Sequence, residues 1–245
     1  DVYKRQMMMI GGVNYYTGQV MAMEELTAHA QKRGVTVGWD LAHGAGNIEL
    51  HLHDWNVDFA AWCHYKYLNA GPGATAGYFV HEKHHGQSDL PRFEGWWGHD
   101  KETRFQMPET FKPIPTAEAW QLSNAPVMAM APVRASFDLV DQAGVRNLRA
   151  KSEKLTAYLQ QVIEAVAIET DKFLEIITPE GARGAQISVH VHGYGKPLFD
   201  HLMAEGVIVD WREPNVIRMA PVPMYNSFED IRSFGQILKT YLESH

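Results

Sequence analysis

Between positions 21 and 73 the chain alternates in a way that few folds accept. Residues 21–33 carry Met23, Leu26 and Ala30 on one helical face, and Gly34 stops the pattern. A short apolar run, Val35-Thr36-Val37-Gly38-Trp39, follows at once and ends on Asp40. A second apolar run over residues 59–64 ends on Tyr65-Lys66 and leads into the turn Asn69-Ala70-Gly71-Pro72-Gly73. Helix, glycine, strand, acid is the rhythm of a parallel α/β sheet, which binds its ligands at the carboxyl ends of its strands. Asp40, His43, Tyr65 and Lys66 all fall at such ends. Runs at residues 7–10 and 77–80 supply further strands.

The texture then changes. Residues 108–115 are irregular and punctuated by proline. Helical patterns are predicted from Thr116 through Trp120, over 127–143 and over 145–167, the last with Leu148, Leu155, Leu159, Val162 and Val166 near one face. Beyond Thr170, short strands at 174–178, 186–191, 207–210 and 216–219 alternate with helices at 197–205 and 227–242. The fold class expected is α/β: residues 1–145 as the C-terminal part of a mostly parallel-sheet large domain, then residues 146–245 as a smaller α+β domain. The first residue is not Met, and a strand-like run begins at residue 7. That reads as a chain beginning mid-protein, with residues 1–6 as a scar.

A carboxylate at one strand end and a lysine after the next suit a pyridoxal phosphate ring. The carboxylate keeps the pyridine nitrogen protonated, so the ring can accept electrons, and the amine joins the cofactor aldehyde as an imine. Each residue also has a plainer reading. Asp40 could cap the segment after it, His43 could satisfy a local hydrogen bond, Tyr65 could be core, and Lys66 could be a solvated strand-end lysine. The order of all four, with the glycine turn behind them, favours the cofactor. Beside the lysine, Tyr65 would hydrogen-bond the phosphate and relay a proton.

Composition narrows the partners. The net charge of −7 argues against nucleic acid and acidic membrane surfaces, both of which need a positive face. One cysteine, Cys63, excludes an internal disulfide and fits a reducing, cytoplasmic compartment. No run of 18 apolar residues exists to span a membrane.

Five segments carry a resemblance: residues 39–47 (WDLAHGAGN), 64–73 (HYKYLNAGPG), 94–99 (EGWWGH), 121–126 (QLSNAP) and 217–230 (IRMAPVPMYNSFED). From about Gly12 to the C-terminus the chain resembles kynureninase, a pyridoxal-phosphate enzyme of tryptophan catabolism and NAD biosynthesis with the aspartate-aminotransferase-like fold type I. The resemblance implies a homodimer that hydrolyses L-kynurenine, with 3-hydroxykynurenine as a second substrate, to anthranilate and L-alanine. It implies that Lys66 carries the cofactor and moves the α-proton, and that His43 lies in the cofactor pocket. Trp96 would touch the phosphate held by the neighbouring subunit, and Asn124 would reach the same site. Trp97 and His99 would border the aromatic end of the substrate, and Arg218 would hold its α-carboxylate.

Other readings stay open beside these. Adjacent tryptophans usually pack, and Ser123-Asn124 looks like a helix cap. Arg218, in the apolar run 216–219, needs an anion, and an internal acid such as Asp210 would serve as well as a substrate. His190 and His192 share a strand face, while His81, His84 and His85 cluster after another strand. Neither group shows carboxylate or thiolate company in sequence, so no metal is expected. Cys63, three residues before Lys66, is expected to be buried, which counts against the related cysteine desulfurases. The alternatives are another fold-type-I aminotransferase or lyase, and a non-catalytic fragment, because no glycine- or serine-rich phosphate loop precedes Asp40.

Overall fold

The computed structural model describes residues 6–245, so the expectation for residues 1–6 falls, apart from Gln6, outside the described residues. They form two units. The first comprises residues 6–12, 22–45 and 50–139; the second comprises Val13–Met21, Gly46–Glu49 and Val140–His245.

The first unit is built on a mixed sheet of four strands in the order β1-β2-β3-β4. β1 (Met7–Gly11), β2 (Thr36–Asp40) and β3 (Phe59–Cys63) run parallel, and β4 (Ala76–Val80) is antiparallel to β3. Parallel neighbours need a crossover, and α1 (Met23–Gln31) provides the one between β1 and β2. Glu24 and Glu25 in its first turn complement the positive end of the helix dipole, and Gly34, at φ 74°, turns the chain back toward the sheet. Helix and sheet are joined by Trp39, fully buried, whose indole Nε1 donates to Thr27 Oγ1 at 3.0 Å. Gly38 is required there: a Cβ would stand 2.2 Å from the ring of Phe59 on the paired strand.

Asp58 locks the same edge. Its Oδ2 accepts from the Val37 amide at 2.7 Å and from Gln31 at 2.9 Å, and its Oδ1 meets Lys83 at 2.7 Å and His84 at 2.8 Å. Burial alone would raise this carboxyl, but Lys83, the Val37 amide, Gln31 and His84 together lower it from 3.8 to about 2. A depressed folded-state value stabilises the fold above the unfolded value and is lost as pH falls through the folded one. Asp58→Asn should therefore cost about 2 kcal/mol near neutral pH. In urea melts the gap between the two proteins should close as pH falls from about 4 to about 2. A gap that stays constant down to pH 2 would contradict this.

The second unit is α+β. Its sheet, β5-β6-β8-β7, is antiparallel throughout, with β5 (Glu175–Ile176), β6 (Ile187–His190), β7 (Asp210–Arg212) and β8 (Val216–Met219). α3 (Val145–Thr170) contributes Leu155, Leu159 and Ile163 to its core. α4 (Gly195–Ala204) contributes Leu198 and Leu202, and α5 (Phe228–Ser244) contributes Phe234, Leu238 and Leu242. This spacing of four places each set on one helical face. α5 begins with a capping box in which Ser227 and Asp230 satisfy each other's backbone amides. Two short early segments belong to this unit. Thr178 and Ser188 donate their hydroxyls to the carbonyls of Thr17 and Tyr16, both at 2.6 Å, and Asn47 Oδ1 accepts from the Ala185 amide at 2.8 Å.

Helix α2 (Val127–Ala143), with the bounds expected from the sequence, links the units. The helix expected from Thr116 is a 3-10 turn, Ala117–Trp120, capped by the Thr116 hydroxyl. The strand expected at 207–210 lies later, at Asp210–Arg212. The Val207 amide bonds the Leu202 carbonyl to close α4, and pairing with β8 sets the register only from Asp210 onward.

Candidate active site

The sheet of the first unit brings its chemistry to one place. β2 and β3 are parallel neighbours, with Asp40 opposite Ala61, so Asp40 and the segment after Cys63 leave the sheet at the same end. Asp40 is exposed, and its Oδ1 accepts from the Ala42 amide at 2.8 Å, which turns the chain and carries His43 above the strand end. Lys66 reaches back from the other strand, and its Nζ lies 3.1 Å from His43 Nε2. The His43 ring also meets Tyr67 edge to face, with centroids 6.0 Å apart. Twenty-three residues apart in sequence, the imidazole and the amine are thus hydrogen-bonded partners.

The turn bearing Lys66 is held from below. Trp62 Nε1 donates to His64 Nε2 at 3.0 Å, and the other ring nitrogen of His64 meets the Thr75 carbonyl. That pattern assigns His64 the neutral tautomer with hydrogen on Nδ1. The Ser136 hydroxyl, from α2, donates to the Leu68 carbonyl. Asn69, at φ 57°, and Gly71, at φ 81°, supply the left-handed conformations that bend the chain after Lys66. Sequence reading did not single out His64 or Ser136. The only local signal was position, two residues before the lysine for His64, and none existed for Ser136.

Tyr65 is 52% exposed rather than core, and the Lys66 ammonium lies 5.9 Å from its ring centroid. Hydrogen bonding with Cys63 is the main cause that raises the Tyr65 hydroxyl above the ordinary phenol value, so it stays protonated and able to donate. Cys63 is half-buried in β3, not fully buried as expected, because its side chain lies beside the Ala42 carbonyl (Sγ–O 3.8 Å) at the open end of the strand.

Trp96, Trp97 and His99 form a second cluster in this unit. Trp96–Gly98 is a 3-10 turn, with the two indoles edge to face at 5.0 Å. Arg104 lies 4.7 Å over the Trp97 ring. His99 is buried, with Nδ1 accepting from the Lys112 amide at 3.2 Å and Nε2 at 3.1 Å from the Thr103 hydroxyl. A Cβ at Gly95 would come within 2.1 Å of the Leu122 backbone, and one at Gly98 within 2.6 Å of the Ala119 carbonyl. Only glycine permits that approach, and it lays the tryptophan turn directly against the segment leading to Asn124. Trp96 (46% exposed) and Asn124 therefore sit on touching loops, both open to solvent. Ser123 donates to Asn124 Oδ1 at 3.0 Å, and α2 starts only at Val127, so the pair bond each other just ahead of the helix.

Arg218 lies in the second unit, on β8. Its Nε donates to Asp210 Oδ2 at 2.6 Å across the β7–β8 pair, a second nitrogen meets the same oxygen, and its third contact is the Tyr15 carbonyl. The internal acid named from the sequence is thus a real partner.

The carboxylate, imidazole and primary amine at the ends of β2 and β3 fit a pyridine ring bearing an aldehyde. Asp40 could face a protonated ring nitrogen, Lys66 could take the aldehyde, and the Tyr65 hydroxyl could serve a phosphate.

Comparison with known proteins supports the same direction. The kynureninase C-terminal domain family matches residues 148–238. Kynureninase of Christiangramia forsetii is 58% identical over 235 residues, covering 95% of this chain and 55% of the relative. Kynureninase of Flavobacterium johnsoniae is 57% identical over the same shares, and that of Xanthomonas oryzae pv. oryzae is 56% identical over 232 residues, 92% of this chain and 54% of the relative. The chain spans about half the length of the curated relatives it matches. Among solved structures, C-DES with glycine covalently linked to its PLP cofactor superposes with a TM-score of 0.79 at 16% identity, covering 96% of this chain and 60% of that one. The cysteine desulfurase CsdA of Escherichia coli does so at 0.77 and 13%, covering 99% and 60%. At these identities the likeness establishes the α/β fold alone.

Proposed function

Because this chain, over its aligned residues, belongs to the kynureninase family, we propose that the protein carrying it hydrolyses L-kynurenine, and 3-hydroxykynurenine as a second substrate, to anthranilate and L-alanine with pyridoxal phosphate as cofactor. The observation that carries this reading is the contact between Lys66 Nζ and His43 Nε2 at the strand end that also bears Asp40. When bound, pyridoxal phosphate supplies an electron sink that lets bonds next to the substrate's α-carbon break at neutral pH.

The residues of the chain then have separate tasks. Asp40, a carboxylate fixed by the Ala42 amide, stabilises positive charge on the ring nitrogen. Lys66 holds the cofactor at rest and, once released, takes the α-proton on Nζ. His43 accepts a hydrogen bond from that amine and so keeps its lone pair and its protons in a defined direction. Tyr65, held protonated, donates to the phosphate and can return a proton to the leaving carbon. Water completes the balance: one molecule is consumed, its oxygen ending in the carboxylate of anthranilate. Trp97 and His99 would border the aromatic ring, and the buried, doubly bonded His99 suits a fixed wall rather than a mobile base. Arg218 would take the α-carboxylate.

The active assembly in this reading is a cytoplasmic homodimer in which Trp96 and Asn124 complete the partner's site. Their exposure on touching loops supports this, as does the apolar surface of α2, where Val127 is 74% and Met128 86% exposed. Such surface is normally covered by protein. No helix among the described residues is long and apolar enough to cross a membrane.

The test is the product. Incubation of the intact protein with L-kynurenine should release anthranilate and alanine in equal amounts without a 2-oxo acid. Amino transfer that depends on a 2-oxo acid, with no anthranilate, would make it an aminotransferase instead.

A further inference from the structure

His190 and His192 lack a visible partner in sequence, but the fold supplies one. β5 pairs antiparallel with β6, and in that register Glu175 stands opposite His190. Its Oε2 lies 3.3 Å from His190 Nδ1 and 2.7 Å from His192 Nε2, and the two imidazole centroids are 3.7 Å apart. One ligand atom from each of the three residues lies within 4.8 Å of the others. Phe173 stacks on His192 at 5.3 Å with planes 26° apart, which restrains that ring. The side chains are 46%, 27% and 42% exposed for Glu175, His190 and His192, so an ion can arrive directly from solvent.

The two carboxylate-to-imidazole distances suit a particular ion class. Ligands about 2.0–2.1 Å from a tetrahedral ion are about 3.3–3.4 Å apart along each edge. The Glu175–His190 edge has that length already. The Glu175–His192 edge would open by roughly 0.6 Å, a small rotation for partly exposed side chains. Two imidazoles and one carboxylate are borderline ligands that prefer zinc, cobalt or nickel to magnesium or calcium, which favour all-oxygen sites.

We propose that Glu175, His190 and His192 form a three-ligand site for a zinc-class divalent cation, with water in the fourth position. The site would clamp β5, a strand of only two residues at the edge of its sheet, to β6. It lies in the C-terminal unit, uses no residue assigned to catalysis, and stands whether or not the protein acts on kynurenine.

Titration of the tag-free protein with Co²⁺ tests this. One equivalent should bind with the intense visible bands of four-coordinate cobalt, and Zn²⁺ should abolish those bands. His192→Ala and the near-isosteric Glu175→Gln should each weaken binding by roughly 100-fold or more, beyond the 10–100-fold typical of losing an outer-shell partner. His84→Ala, at another histidine cluster, should leave cobalt binding unchanged. Circular dichroism checks that each variant is folded; if an alanine variant unfolds, Glu175→Gln decides alone. Absence of a saturable cobalt spectrum, or equal affinity in Glu175→Gln, would overturn the proposal, the latter by placing the ion elsewhere among the 13 histidines.

Discussion

Lys66→Ala should lower anthranilate formation by the intact protein by on the order of 10⁴-fold or more, the scale seen when a covalent catalytic group is removed. The fold should survive. Lys66 is only half-buried and follows β3, and the turn that carries it is fixed by His64 and Ser136 rather than by the amine. What would disappear, in the proposed chemistry, is the atom that holds the cofactor and moves the α-proton, together with the contact between that amine and the imidazole of His43. Borohydride treatment of the intact protein, followed by peptide mapping, should place the cofactor on Lys66. A label on any other lysine would remove the centre of the proposed chemistry. His43→Ala should give a smaller loss, because the amine remains and only its orientation is released. The same lysine variant examines the sharing of sites. Inactive Lys66→Ala subunits refolded with inactive Trp96→Ala subunits should regain activity, since one site in each mixed dimer then receives both residues. If no mixture recovers, Trp96 serves its own subunit.

Local periodicity explains why much of this was legible beforehand. β2 ends on Asp40 as the apolar run predicted, and α2 has its expected bounds because Pro126 and Gly144 bracket one continuous pattern. Where the sequence reading departed from the structure, long-range pairing decides. Val207, Ile208 and Val209 look like a strand, but Val207 closes α4, and β7 begins where β8 offers partners. Segments 13–21 and 46–49 fold with the C-terminal unit through hydrogen bonds that span 138 to 172 residues, such as Ala185 to Asn47 and Ser188 to Tyr16. No local pattern encodes those. The Glu175–His190 pairing is intermediate: both strands were predicted, but only their antiparallel register puts the carboxylate beside the imidazoles.

Arg218→Lys should lower kcat/KM for kynurenine by roughly 30- to 1,000-fold, equivalent to about 2–4 kcal/mol of transition-state binding. The arginine is well prepared for such a role. Its side chain is 11% exposed, and Asp210 and the Tyr15 carbonyl use three of its five N–H donors. One N–H on each terminal nitrogen is not used by those bonds, and a carboxylate can accept from two such donors in parallel. Lysine keeps the charge but not the paired donors, so recognition should fall while the spectrum of the bound cofactor stays unchanged. The contacts with Asp210 and Tyr15 give the competing explanation a distinct signature. If the guanidinium only joins β7, β8 and the 13–21 segment, Arg218→Lys should lower Tm and leave kcat/KM intact. Asp210→Asn separates the two further, since it weakens the internal pair without removing the guanidinium. A large kinetic loss in Arg218→Lys with Tm preserved, beside a thermal loss in Asp210→Asn with kcat/KM nearly preserved, would assign the carboxylate to Arg218. The reverse pattern would leave it a purely structural arginine.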